Sequence, residues 1–205
     1  SQYEEALALP EVLRRVREAE AEGADALLID CMGDPGVAAS REISDLLVLG
    51  PAQTSMHVAS LLAINFSIVT TGASVLSIFH DLVRRYGMTD QVCSIRAVEV
   101  PVLELPVEGR LEEALFAQAL RAVEDDGAHA IVLGCTGMRG WAERLGAHLA
   151  AHGHPGIPVI DPVITTMKIA EALVDLGLTP SARSYPRPTH ALISGYDGLA
   201  VEDPA

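Results

Sequence analysis

Cys31 and Cys135 stand at matching places in two stretches of similar sequence. Arg17 to Gly33 reads REAEAEGADALLIDCMG, and Arg121 to Gly137 reads RAVEDDGAHAIVLGCTG. At one constant offset, Arg17, Glu20, Gly23, Ala24, Ala26, Cys31 and Gly33 meet Arg121, Glu124, Gly127, Ala128, Ala130, Cys135 and Gly137. Each copy carries an acidic helix end, a glycine stop, a short apolar strand, a cysteine and a glycine turn. A thiol titrates near pH ~8.5, so modest tuning makes it either a base or an acid close to neutrality. Two thiols facing one carbon from opposite sides satisfy a two-base proton transfer. One thiolate removes the proton from one face, and one thiol returns a proton to the other.

A lone cysteine at a strand end is more commonly a small buried residue. The duplication, the glycine turns and the strand-end position favour the acid/base role for Cys31 and Cys135. Cys93 lacks that context and reads as structural. A zinc site built from the two cysteines and a histidine has no CxxC spacing behind it, so no metal is expected. The turns after the cysteines, with Met32, Gly33, Thr136 and Gly137, are expected to present backbone N–H groups to a substrate oxyanion and to lower the thiol pKa values.

Thr70 and Thr71 close the apolar run Phe66 to Val69 and are expected to hold a carbonyl or carboxylate; capping of the next helix is the competing role. His57 and Asp161 form a second tier of candidates. His57 lies one turn into a helix, where a plain helix-face histidine is the stronger reading. Asp161 precedes Pro162 and a helix, so capping competes with substrate contact. Asp34, in the run Gly33-Asp34-Pro35-Gly36, reads as a turn residue. Lys168 is the only lysine, and it sits inside an amphipathic helix. With no strand-end lysine for a Schiff base, no GxGxxG after a strand and no P-loop, no cofactor is expected.

The elements that must position these residues alternate. Helical periodicity over Pro10 to Glu22 stops at Gly23, and the apolar run Ala24 to Asp30 follows as a buried parallel strand. Strands are expected over 45–49, 65–71, 92–100, 128–134 and 158–160. Helices are expected over 52–63, 74–86, 111–126, 138–151 and 163–176. Such αβ alternation predicts parallel sheets with covering helices. Ligands then bind beyond the carboxyl ends of the strands, the edge where Cys31, Thr70, Thr71, Cys135 and Asp161 all fall. The expected fold is α/β with two pseudo-symmetric lobes, each a parallel sheet covered by helices, and a ligand cleft between them. Residues 1–49 plus 159–178 form lobe one, 50–158 lobe two, and 179–205 a proline-rich tail without clear period.

Bulk properties narrow the function. Apolar residues make up 49% of the 205-residue chain and charged residues 20%, a globular balance. The net charge of −14 would repel a phosphate backbone, so nucleic acid is not an expected partner. No apolar run approaches the roughly 18–20 residues that cross a bilayer, and no membrane partner is expected. Three cysteines in a chain of this length do not form a disulfide scaffold, and no signal peptide opens the chain, so a cytoplasmic location with reduced thiols is expected. The expected partner is a small-molecule substrate, and a homo-oligomer is expected.

The pair Cys31-Met-Gly-Asp-Pro-Gly and Gly134-Cys135-Thr-Gly-Met resembles the aspartate/glutamate racemase superfamily, in particular its hydantoin racemase branch. The resemblance runs from about Tyr3 to Gly177 and includes Met56-His57-Val-Ala-Ser, Ser67-Ile-Val-Thr-Thr, Arg84-Arg85-Tyr86-Gly87 and Val159-Ile-Asp161. It implies cofactor-independent catalysis in a cleft between two similar α/β lobes. It also implies Cys31 and Cys135 as the acid/base residues and Thr70 and Thr71 as substrate contacts. Against that pattern the chain is expected to lack a first strand and helix, leaving lobe one incomplete at its N-terminus. Thr136 and Asp30 also depart from it, since many hydantoin racemases carry alanine and a small residue there, and the proline-rich tail runs past the usual end. The expected activity is racemisation of a 5-substituted hydantoin or a related cyclic amide such as allantoin. An aspartate/glutamate-type racemase or maleate-type isomerase is the alternative within enzymes, and a non-catalytic two-lobed binding protein the alternative outside them. No strand-end arginine is evident to bind a free α-carboxylate, Arg139 being the nearest candidate, which favours a neutral ring.

Overall fold

The computed structural model describes residues 1–105 and 109–188. Two parallel sheets organise it. The smaller pairs β1 (Ala26–Leu28) with β2 (Leu47–Leu49). The larger has the order β4-β3-β5-β6, from β3 (Phe66–Thr70), β4 (Val92–Ala97), β5 (Ile131–Leu133) and β6 (Val159–Ile160). Every pairing is parallel, as the helical crossovers between strands require.

Successive side chains of a strand point to opposite faces, and the core follows that rule. Ile68 of β3 and Val132 of β5 join Met56 and Ala59 of α3 (Pro51–Leu62) and Phe79 and Leu82 of α4 (Leu76–Arg85). Their neighbours Val69, Ile131 and Leu133 join Leu111 and Leu115 of α5 (Arg110–Glu124) and Leu145 and Leu149 of α6 (Ala142–Ala151). The larger sheet is thus covered on both faces, which explains why its strands read as unbroken apolar runs. The smaller sheet has its own cluster, where Val16 of α1 (Gln2–Ala21) meets Ile29, Leu46, Val48 and Val37 of α2 (Val37–Ile43).

Three elements differ from the sequence expectation. Helix α1 begins at Gln2 rather than Pro10. Ser1 caps it by accepting from the Glu4 N–H, and the Ser1 amino group donates back to the Glu4 carboxylate, a capping box. Pro10 lies inside the helix, in a register that the periodicity after it does not reveal. Helix α2 was not expected; its seven residues are too few for periodicity, and it starts from Gly36 in the left-handed region. Strand β6 pairs with β5 in the larger sheet, whereas residues from 159 onward were expected in lobe one. The following helix, α7 (Pro162–Asp175), crosses over to pack on β1, β2 and α3. The proline-rich tail was expected over 179–205; its residues beyond 188 lie outside the described residues. Among the described residues no helix is long and apolar enough to cross a membrane.

Candidate active site

Cys31 and Cys135 line the same cavity, of about 220 Å³. That is below the roughly 300–1,000 Å³ of sites for drug-sized ligands, so it suits a compact substrate. Met32, Gly33, Thr70, Thr71 and Thr136 line it as well, together with Asp30 and Gly134. Val75, Ile78, Phe79 and Val102 add apolar wall, and Glu5 enters from α1. No lysine or arginine is among the lining residues.

Each thiol sits just beyond a strand. Cys31 follows β1, its N–H bonding back to the Ile29 carbonyl at 2.8 Å, and its own carbonyl accepts from the Asp34 N–H at 3.0 Å. Cys135 follows β5 and opens a single 3₁₀ turn, Thr136 to Met138, where the Met138 N–H returns to the Cys135 carbonyl at 3.0 Å. The two loops approach each other: the Thr136 hydroxyl lies 3.5 Å from the Asp30 carbonyl. On the β3 side Thr70 is buried and donates its hydroxyl to the Gly134 carbonyl at 3.1 Å. A side chain at Gly134 would put its Cβ 2.8 Å from Thr70 Cβ and 3.0 Å from Thr70 Cα, so only glycine lets β5 end against β3 here.

Asp34 does more than shape a turn. It is 3% exposed and holds a left-handed φ of 50°, a region that asparagine and aspartate tolerate better than most residues. Its carboxylate accepts from the N–H groups of Ala52 and Gln53 at the start of α3, at 2.9 and 2.8 Å, and from the Tyr86 hydroxyl at 2.8 Å. Gly50 has no room for a Cβ, which would fall 2.3 Å from the Asp34 carboxyl carbon. The Cys31 loop is thereby tied to α3 and to the end of α4.

The electrostatics run opposite to the expectation of lowered thiol pKa values. The Gly33 N–H does point at Cys31 Sγ, 3.5 Å away, and N–H groups of Gly137 and Met138 favour the Cys135 thiolate. Burial outweighs them, and both thiols titrate above the ordinary range. Glu5, Asp34 and the other thiol push Cys31 further up, and Asp30 does the same for Cys135.

The remaining candidates fall elsewhere. Met32 touches the cavity but is 4% exposed and belongs to the core cluster that also holds Met56 and Phe79. Gly137 does not line the cavity; its contribution is the N–H beside Cys135. His57 is exposed, bonds the Gln53 carbonyl at 2.7 Å through Nδ1, and borders a separate groove between α3 and α7. Asp161 caps α7 by accepting from Val163 and Ile164, and it also takes the Gly140 N–H at 2.7 Å. Its carboxylate is therefore occupied away from the cavity, though it anchors the far end of the Cys135 loop. Among the described residues no group of three or more His, Cys, Asp and Glu side chains is placed to hold a metal ion. Glu5 escaped the sequence reading because the first helix was expected to begin only at Pro10, which left Glu5 outside any expected element.

Comparison with known proteins identifies the family of the chain. The family model for Asp/Glu/hydantoin racemases matches residues 1–170. The hydantoin racemase of Pseudomonas sp. (strain NS671) is 41% identical over 190 residues, spanning 92% of this chain and 74% of the relative. Among solved structures, the allantoin racemase from Klebsiella pneumoniae superposes with a TM-score of 0.89 at 37% identity, covering 97% of this chain and 80% of that one. The allantoin racemase from Pseudomonas fluorescens gives 0.85 at 31% identity, covering 94% and 80%. An α/β chain with these two parallel sheets, matched over most of its length, belongs to the Asp/Glu/hydantoin racemase family and is an isomerase, a racemase.

Proposed function

We propose that the chain racemises a 5-substituted hydantoin or a related cyclic amide such as allantoin, without a cofactor, using Cys31 and Cys135 as its two acid/base groups. The observation that carries the reading is a compact cavity with a thiol from each strand-end loop in its wall and no cationic side chain there. A free amino acid would bring a carboxylate into that cavity beside Glu5 and Asp30, with no arginine or lysine to receive it. A neutral ring carries no such penalty. The hydantoin racemase and allantoin racemase names of the relatives point the same way.

In the proposed reaction one cysteine, as thiolate, takes the proton from C5 of the ring. The C–H electron pair moves into the adjacent carbonyl and makes an enolate. The other cysteine, as thiol, delivers its proton to the opposite face of C5, and the pair returns from oxygen to carbon. The products are the inverted ring and a cysteine pair with its protonation exchanged. Hydroxyl and N–H groups of Thr71, Thr136 and Gly33 are the donors proposed to meet the enolate oxygen, where charge develops. Burial suits this chemistry: a thiol of raised pKa is a stronger base once ionised, and C5 of a hydantoin is a weak acid.

Deuterium exchange at C5 of a 5-substituted hydantoin in D₂O, followed by NMR and by chiral chromatography, tests the reading. Exchange with inversion is expected. Exchange of aspartate or glutamate and not of hydantoins or allantoin would make the chain an amino-acid racemase. Binding with no exchange of any of them would make it a binding protein.

A further inference from the structure

We infer that Glu5 is the substrate-recognition residue of the cysteine cavity, accepting a ring N–H of a cyclic amide; the inference rests on the cyclic-amide reading above.

Glu5 lies in the first turn of α1, whose start is defined by the Ser1–Glu4 capping box. Its side chain lines the cavity beside Cys31 and Gly33. The approach to Gly33 is very close: a Cβ built there would fall 1.8 Å from Glu5 Oε1. The missing side chain at Gly33 is what admits the carboxylate.

Among the described residues most other half-buried and buried carboxylates have bonded partners, and the exception, Glu42 of α2, does not line the cavity. Asp34 accepts three bonds, Asp161 takes the α7 N–H groups, Asp126 pairs with Arg96, and Glu20 receives Ser44 and the Asp45 N–H. Glu5 accepts no side-chain hydrogen bond among the described residues, although it is partly buried. A carboxylate in that state has lone pairs free for a donor. Nor is it placed to activate the thiol, because its charge opposes the Cys31 thiolate. What it offers the cavity is an acceptor. The ring N–H groups of a hydantoin or of allantoin are the matching donors, and an N–H to a charged acceptor is among the stronger hydrogen bonds. Asp30 also borders the cavity, but it is exposed, so water competes for it.

The test is a cycle between Glu5 and the ring. Parent protein, Glu5→Ala and Glu5→Gln are assayed by C5 exchange on a 5-substituted hydantoin and on its N1-methyl and N3-methyl analogues. Melting temperature is read for each variant. In the parent, one of the two methylations should lower kcat/KM by about 10- to 100-fold, the worth of a hydrogen bond to a charged group. Glu5→Ala should raise KM for the unmethylated ring by a similar factor with a smaller change in kcat, and should lose discrimination against that methylated analogue. Glu5→Gln, which keeps a neutral acceptor, should fall between. If the parent and Glu5→Ala discriminate equally, Glu5 meets neither N–H and the inference fails while the cyclic-amide reading stands. If the parent exchanges no hydantoin or allantoin at all, the reading itself fails and takes the inference with it.

Discussion

The Tyr86 hydroxyl donates to Asp34 Oδ2 at 2.8 Å, joining the loop that carries Cys31 to the end of the helix that covers the larger sheet. The same carboxylate holds the first N–H groups of α3. One buried aspartate therefore sets where the first thiol stands relative to the sheet that carries the second.

Removing that clamp should cost stability. Asp34→Ala leaves the buried Ala52 N–H and its neighbours without an acceptor, and an orphaned buried group costs about 1–3 kcal/mol. Tyr86→Phe removes only one of the three bonds and should cost about 0.5–1.5 kcal/mol. Urea midpoints at equal m-value read both. Equal and negligible shifts would mean that the carboxylate is not a clamp.

Crowding at the strand ends gives a second expectation. Gly134→Ala should destabilise by about 1–3 kcal/mol, because the new Cβ meets the Thr70 backbone as well as its side chain. Gly146→Ala, with nothing near the added Cβ and a mid-helix position, should be neutral or stabilising. Thermal unfolding of the pair checks the contrast.

Thiol ionisation supplies a pH test. Because burial raises both Cys31 and Cys135, iodoacetamide labelling of each should rise about tenfold per pH unit through the ordinary thiol range and level off only above it. Between the unfolded and folded pKa values the native state holds more protons, so the contribution to stability is full below the unfolded pKa and is lost as pH rises through the folded one. Labelling that plateaus below pH ~8.5 would contradict the burial effect.

Division of labour between the thiols is the mechanistic test. Cys31→Ser and Cys135→Ser should each abolish inversion, with a loss of about 10² to 10⁴ in rate. Each variant should still exchange the C5 proton of one enantiomer through the remaining thiol. The enantiomer that exchanges should switch between the two. Chiral chromatography with deuterium counting reads the pattern, and inversion at the parental rate in either variant would exclude two-thiol catalysis.

The apolar runs 66–69 and 131–133, the glycine stops at Gly23 and Gly127 and the duplicated cysteine turn were enough to read parallel strands with thiols at their carboxyl ends. Those signals are local: a strand covered on both faces must be continuously apolar, and a helix that stops before it needs a residue free to adopt positive φ. Which sheet β6 joins is not local, because two residues of strand hold no information about their neighbour. Only packing revealed that Glu5 reaches across to Gly33, that Asp34 binds three donors from two other elements, and that Asp161 and His57 face away from the thiols. The direction of the thiol pKa values was also decided by tertiary structure. The N–H turns that favour a thiolate are visible in the sequence, but the desolvation that outweighs them arises only when α1, α4 and the two sheets close around the sulfur atoms.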